Sequence, residues 1–294
     1  MNDSVPARLF CFGLGYSAAA LAARLGPAGW RIAGTARSAT KCVDLAGRGI
    51  DAHRFERDHP LADPAAALAG MTHLLASIPP DETGDPALDC HASDIAACRD
   101  LRWIGYLSTT AVYGDRAGGW VDEGSELRPS GERGRRRIAA EAGWLALGAS
   151  LGVPVQIFRL AGIYGPGRNP LAALRERRAR RIVKPDQLFS RIHVEDVAQV
   201  LEASMRRPAA GAVYNVADDE AADPAAVVAY AAGLLGMAAP PAEPFETASL
   251  SPLARSFYED CKRVRNDRIK QALGVCLLYP TYRDGLAALR ETID

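Results

Sequence analysis

Short apolar runs alternate with alanine-rich stretches of helical spacing along the first 160 residues. The runs RLFCF (8–12), RIAGTA (31–36), DAHRF (51–55), HLLASI (73–78), WIGYLS (103–108) and VQIFRL (155–160) lack strict apolar/polar alternation. That is the pattern of strands covered on both faces, as in a parallel sheet. Between them the stretches 17–25, 39–47, 64–69, 86–98 and about 132–150 repeat apolar positions at the helical period. Strands separated by helices predict an α/β chain, a doubly wound parallel sheet of the Rossmann type. After VQIFRL the rhythm changes to a basic stretch at 168–184, a helix near 194–205, the strand AVYNVA (212–217), a helix at 224–235 and the Pro-rich joint APPAEP (239–244). We therefore expect a core over residues 1–165 and, over 166–294, a small interleaved C-terminal substrate lobe whose strands and helices return to that core.

The first strand runs into a turn with Gly13 and Gly15, then a third small position, Ala18, inside the following helix. One glycine makes such a turn, the next lets backbone amides approach a pyrophosphate, and the small residue lets helix pack on strand. Gly13, Gly15, Tyr16 and Ser17 are accordingly expected at a dinucleotide. The second strand ends in Arg37 and Ser38, with Lys41 following, where an NAD-preferring site places an acid on the ribose hydroxyls. A cation and a hydroxyl there suit a 2′-phosphate, so NADP is the expected cofactor and NAD the alternative. By position, Asp58 is expected near the adenine, with Glu56 as well placed, and Ser77 near the middle of the cofactor.

Several motifs in order resemble the extended and atypical short-chain dehydrogenases/reductases, the NAD-dependent epimerase/dehydratase family: GLGYSA, LSTTAVYG, RLAGIYGPG, RIHVEDVA, YNVADD and YPTYRDGL. The resemblance implies an oxidoreductase or epimerase/dehydratase with a nicotinamide cofactor, and it maps the family's catalytic hydroxyl to Thr109. It also implies cofactor or substrate contacts from Arg159, Gly162, Tyr164, Arg168 in GPGRNP, and His193. The family's helix motif Tyr-x-x-x-Lys, as in PxxPYGRSK, falls on PSGERGRRR, residues 129–137. Arg133 stands for the tyrosine and Arg137 for the lysine.

That replacement changes the chemistry. A tyrosine of pKa about 10 can be drawn toward neutrality and pass a proton. Arginine stays protonated at any working pH. Arg137 can still donate to ribose hydroxyls. Arg133 and Arg137 share one helical stripe, and the repulsion between them would be relieved by an anion: a cofactor phosphate, a substrate carboxylate or a substrate phosphate. Tyr113, Tyr164 and Thr109 remain as candidate proton donors, the best of them Tyr113, four residues after Thr109. The leading expectation is thus an atypical NADP(H)-dependent oxidoreductase or epimerase-like enzyme acting on a small anionic or sugar-like molecule. The alternative is a catalytically inactive dinucleotide-binding sensor or scaffold.

Composition narrows the field. With 35 basic against 35 acidic side chains in 294 residues, a general nucleic-acid binder is disfavoured. The run LAALRERRARRIVK (171–184) reads as a basic helix able to attract an acidic ligand. Six cysteines without metal-ligand spacing predict reduced thiols in a cytoplasmic protein, with neither disulfide nor bound metal. Arg24 and the early glycines argue against reading 8–25 as a secretion signal, and no apolar run is long enough to span a membrane. A homodimer is left open.

Overall fold

The computed structural model describes residues 7–292. In chain order the elements are β1 (Arg8–Phe12), α1 (Tyr16–Leu25), β2 (Arg31–Ala36), α2 (Ala39–Ala46), β3 (Asp51–Arg54), α3 (Pro64–Leu68), β4 (His73–Ala76), α4 (Pro86–Ala96), β5 (Trp103–Thr109), β6 (Trp120–Val121) and α5 (Glu132–Leu151). They continue with β7 (Val155–Leu160), β8 (Gly162–Tyr164), α6 (Pro170–Arg175), β9 (Arg181–Val183), β10 (Arg191–His193), α7 (Val194–Arg206), β11 (Val213–Val216) and α8 (Pro224–Leu234). The last are β12 (Ala242–Pro244), α9 (Pro252–Ser256), β13 (Arg263–Val264), α10 (Asp267–Leu273) and α11 (Tyr282–Glu291).

Punctuation in the sequence explains where many helices begin. Asp63, Asp85, Asn169, Asp223 and Ser251 each precede a proline and each accept a backbone N–H from the first helical turn. The side chain satisfies an orphan amide, and the proline occupies a position whose own N–H has no partner to lose.

Two compact units form. Among the described residues the first comprises 7–108, 135–159 and 198–214; the second, 109–134, 160–197 and 215–292. The main sheet has seven strands in the order β3-β2-β1-β4-β5-β7-β11. The ladders joining β3, β2, β1, β4 and β5 are parallel. Strand order turns around between β1 and β4, the switch point beside which doubly wound sheets bind ligands. Leu9, Phe10, Cys11 and Phe12 are all fully buried, which is why RLFCF shows no alternation.

The second unit is built from short parallel pairs, β8 with β10, β9 with β12 and β6 with β13. Its apolar core gathers Tyr164, Leu171, Leu174, Tyr282 and Leu286. Asp196 ties the unit's C-terminal part down by accepting the amides of Leu278 and Tyr279 at 2.7 and 3.1 Å.

The basic run 171–184 is not one helix, contrary to its composition. Helix α6 stops at Arg175, Arg177 adopts a left-handed φ of 53°, and β9 follows. After Leu174 no apolar residue returns at helical spacing before Ile182, so a continued helix would have nothing to bury. Its charges are largely engaged: Arg178 with Glu176, Arg180 with Glu243, and Lys184 with the carbonyl of Tyr258.

Candidate functional site

The glycine turn of the first unit has the geometry that its sequence implies. Gly13 sits at φ 91°, and a Cβ there would lie 2.8 Å from Ile78 Cγ1 and 2.9 Å from Ser77 Oγ. Only glycine satisfies both the left-handed backbone and that crowding. Gly13 N–H donates to Thr35 Oγ1 at 2.8 Å, and Ser77 Oγ donates to the Gly13 carbonyl, which pins the turn between β2 and β4. Above Gly15 the space is open, and α1 starts there without a side-chain cap. Its first amides and positive dipole end therefore suit a phosphate group. Tyr16 is half-buried, and Ser17 and Ala18 turn inward.

At the ends of β2 and β3 lies a basic edge. Ser38 caps α2 by accepting from Lys41 N–H at 3.2 Å. Arg37 and Lys41 are exposed. The sequence reading missed Arg54: it is the register partner of Ala36 on β2, and its Nε donates to the Arg37 carbonyl at 3.1 Å. No side-chain acceptor or carboxylate engages Arg37, Lys41 or Arg54 among the described residues. Asp58 is exposed in the tight turn closed by Glu56 and His59. Next to it Arg57 braces the loop after β4, bonding Asp81 at 2.7 and 3.0 Å and reaching Asp89 at 2.8 Å. The guanidinium holds the Asp81 carboxyl well below its ordinary range.

Where β5 meets α5, Arg137 lies over the Tyr106 ring, 5.6 Å from its centroid, and its Nη1 donates to the Leu107 carbonyl and to Tyr106 Oη. Burial pushes the Tyr106 phenol up. One turn further along α5, Glu141 is buried and accepts from Ser108 Oγ at 2.5 Å and from Arg159 at 3.1 and 2.7 Å. Arg159, expected at a substrate, is thus committed to a bidentate buried ion pair.

In the second unit Thr109 begins the 3₁₀ turn Thr110–Tyr113, its Oγ1 accepting from Ala111 N–H at 3.2 Å. Tyr113 is fully buried and its hydroxyl donates to Asn215 Oδ1 at 2.6 Å. Arg133 is exposed, its guanidinium 5.0 Å from the centroid of the Phe257 ring. The arginines at the tyrosine and lysine positions of PSGERGRRR therefore each lie on an aromatic face of their own, Arg133 on Phe257 and Arg137 on Tyr106. Tyr164 is core, edge-on to His193 at 5.2 Å. His193 is buried, accepts from Glu195 N–H through Nδ1 at 3.3 Å, and leaves Nε2 without a partner. Burial lowers its pKa. Gly162 opens β8 with its N–H on Ser190 O, and Arg168 is exposed at the bridge to Gly165. Asp218, just past β11, is buried with Oδ2 unpartnered, and desolvation raises its carboxyl to about 8. Among the described residues no cluster of three metal-ligating side chains occurs, and no helix is long and apolar enough to cross a membrane.

Residues 15–217 match the NAD dependent epimerase/dehydratase family. The chain belongs to that family. Protein YeeZ of Escherichia coli strain K12 is 30% identical over 241 residues, which cover 78% of this chain and 84% of YeeZ. A functionally unknown protein from Silicibacter pomeroyi is 52% identical, with a TM-score of 0.87 over 97% of this chain and 99% of that one. The UDP-glucuronic acid 4-epimerase of Bacillus cereus shares the fold at 15% identity, with a TM-score of 0.76 over 97% of both chains. As a member of the epimerase/dehydratase family, the chain has the glycine turn in place and departs from the resemblance at Arg133 and Arg137.

Proposed function

We propose that the chain binds NADP(H) along the glycine turn and the basic edge of the first unit, and acts as an oxidoreductase or epimerase-like enzyme on a small anionic or sugar-like substrate. The observation that carries the cofactor choice is the trio Arg37, Lys41 and Arg54, three cations without a carboxylate partner at the strand ends where an acid would favour NAD. The Bacillus cereus epimerase of the same fold was solved with NAD, which supports a nicotinamide dinucleotide here and leaves the 2′-phosphate to the basic edge. When bound, the nicotinamide supplies or accepts hydride. The α1 amides hold the pyrophosphate, and Arg137, with Nη1 spent on β5, keeps Nε and Nη2 for ribose hydroxyls. Arg133, stacked on Phe257, presents a fixed positive charge to an acidic group of the substrate.

Titration of NADPH and NADH tests this reading. A charge-assisted contact to the 2′-phosphate contributes about 1.5–3 kcal/mol, so NADPH should bind about tenfold to a hundredfold more tightly. Arg37→Ala and Arg54→Ala should each weaken NADPH selectively. Equal or reversed affinities would refute the cofactor assignment.

A second reading, a dinucleotide-binding sensor or scaffold without turnover, is favoured by one observation. Arg133 cannot pass a proton, and the hydroxyls of Tyr113 and Tyr164 are buried and donate to Asn215 and Thr281. Tight NADPH binding with no NADPH oxidation across a panel of carbonyl substrates selects this reading; oxidation of any of them selects the enzyme.

A further inference from the structure

We propose that the first unit carries a second ligand site, for a flat organic anion, at the edge of the sheet where β1 and β2 begin, the edge away from the glycine turn. A groove of about 760 Å³ opens there, within the size range of small-molecule sites. Its floor is one face of α1, formed by Ala19 and Ala22, with Gly26 just past the helix end, and these small residues leave the space open. Trp30 forms a wall, held edge-on against the His73 ring at 4.7 Å.

Three guanidinium groups line this groove against a single carboxylate. Arg8 and Arg31 are register partners at the first positions of β1 and β2, so their backbones lie about 4.8 Å apart. Arg8 is balanced: it bonds Asp51 at 3.1 Å and the Ala67 carbonyl at 3.0 Å. Arg31 and Arg48 both line the groove, and neither side chain has a hydrogen-bond or ion-pair partner among the described residues. His73 adds no charge, because burial lowers its pKa to about 4. The C-terminal end of α1 carries roughly half a negative charge, which the two unpaired arginines outweigh.

Planar guanidinium forks favour phosphate or carboxylate, and an indole wall favours a flat ring beside it. The fitting ligand is therefore an aryl or nucleoside phosphate, or an aromatic carboxylate. Nothing in this site depends on cofactor binding, since none of its residues belongs to the glycine turn or to the Arg37 edge.

Phenyl phosphate titrated into the full chain, followed by the indole N–H resonance of Trp30 (assigned with Trp30→Phe), tests the site. A saturable shift is expected. The double variant Arg31→Ala/Arg48→Ala should weaken binding at least about tenfold, and Arg37→Ala should leave it unchanged. Inorganic phosphate, lacking the ring, should bind about tenfold or more weakly than phenyl phosphate. The proposal fails if the shift does not saturate by about 10 mM, if the double variant binds as well as the parent, or if Arg37→Ala is the substitution that removes binding.

Discussion

Replacing Arg159 with methionine should unfold the first unit more readily and leave substrate recognition alone. Arg159 and Glu141 have side chains only 6% exposed. The guanidinium donates to both carboxylate oxygens, with Ser108 as a further donor to Oε1. Arg159→Met keeps the length of the side chain but leaves Glu141 as a buried charge supported by one hydroxyl. Breaking one side of a buried pair in this way costs about 3–5 kcal/mol. With a urea slope of about 3 kcal/mol/M, the unfolding midpoint should fall by about 1–1.7 M. The double variant Glu141→Leu/Arg159→Met removes both charges and should regain most of that loss, since well-packed apolar replacements of buried pairs are often neutral. Urea denaturation followed by circular dichroism measures all three proteins. If Arg159→Met stays within about 0.5 kcal/mol of the parent and instead raises the KM of a substrate, the ion pair is not what fixes this arginine, and a substrate contact is.

Three further outcomes follow from the geometry. Gly13→Ala should abolish NADPH binding and lower the melting temperature in thermal denaturation, because a Cβ at φ 91° meets Ile78 and Ser77, a strain of about 1–3 kcal/mol; unchanged cofactor affinity would remove the turn from the site. Tyr113→Phe strips the donor from Asn215 and should cost about 1–3 kcal/mol in stability while leaving any NADPH oxidation within about twofold; a loss of about a hundredfold would make Tyr113 the proton donor. Asp218 has a folded pKa raised to about 8, so between the ordinary carboxylate range near 4 and pH 8 the folded state binds more protons than the unfolded one, and stability falls as pH rises through that window. Asp218→Asn should flatten this slope in melting temperatures measured from pH 4 to 9, and an unchanged slope would exonerate Asp218.

The main sheet was legible because all its strands but the edge strand β3 are largely buried, so apolar runs without alternation marked them directly. The second unit was less so: β6, β9, β12 and β13 are two or three residues long, too short for any periodicity to register. The break after Arg175 was hidden by composition, since arginine is a good helix former and Glu243, the partner of Arg180, lies 63 residues away. The glycine turn and Arg37 could be read locally, but Arg54 could not: it reaches the same edge only through the pairing of β2 with β3. Arg159 drew a substrate role from its position in RLAGIYGPG, whereas the neutralising Glu141 comes from another element and carries no signal in the motif itself.

The anchoring of Arg54 bears on how cofactor preference in this lineage could drift. Its hold on the second strand is to the backbone carbonyl of Arg37, so it persists whatever side chain occupies that position. An acid introduced at 37 alone would arise beside a standing cation and pair with it before it could serve a ribose. If the proposed 2′-phosphate site is the starting point, the route to hydroxyl recognition passes through an intermediate sequence poor at both, unless the change on the third strand comes first. On the proposed NADP(H) reading, preference is a two-locus trait, and exchange of single residues should reveal sign epistasis between positions 37 and 54 where a one-residue code would predict a simple switch.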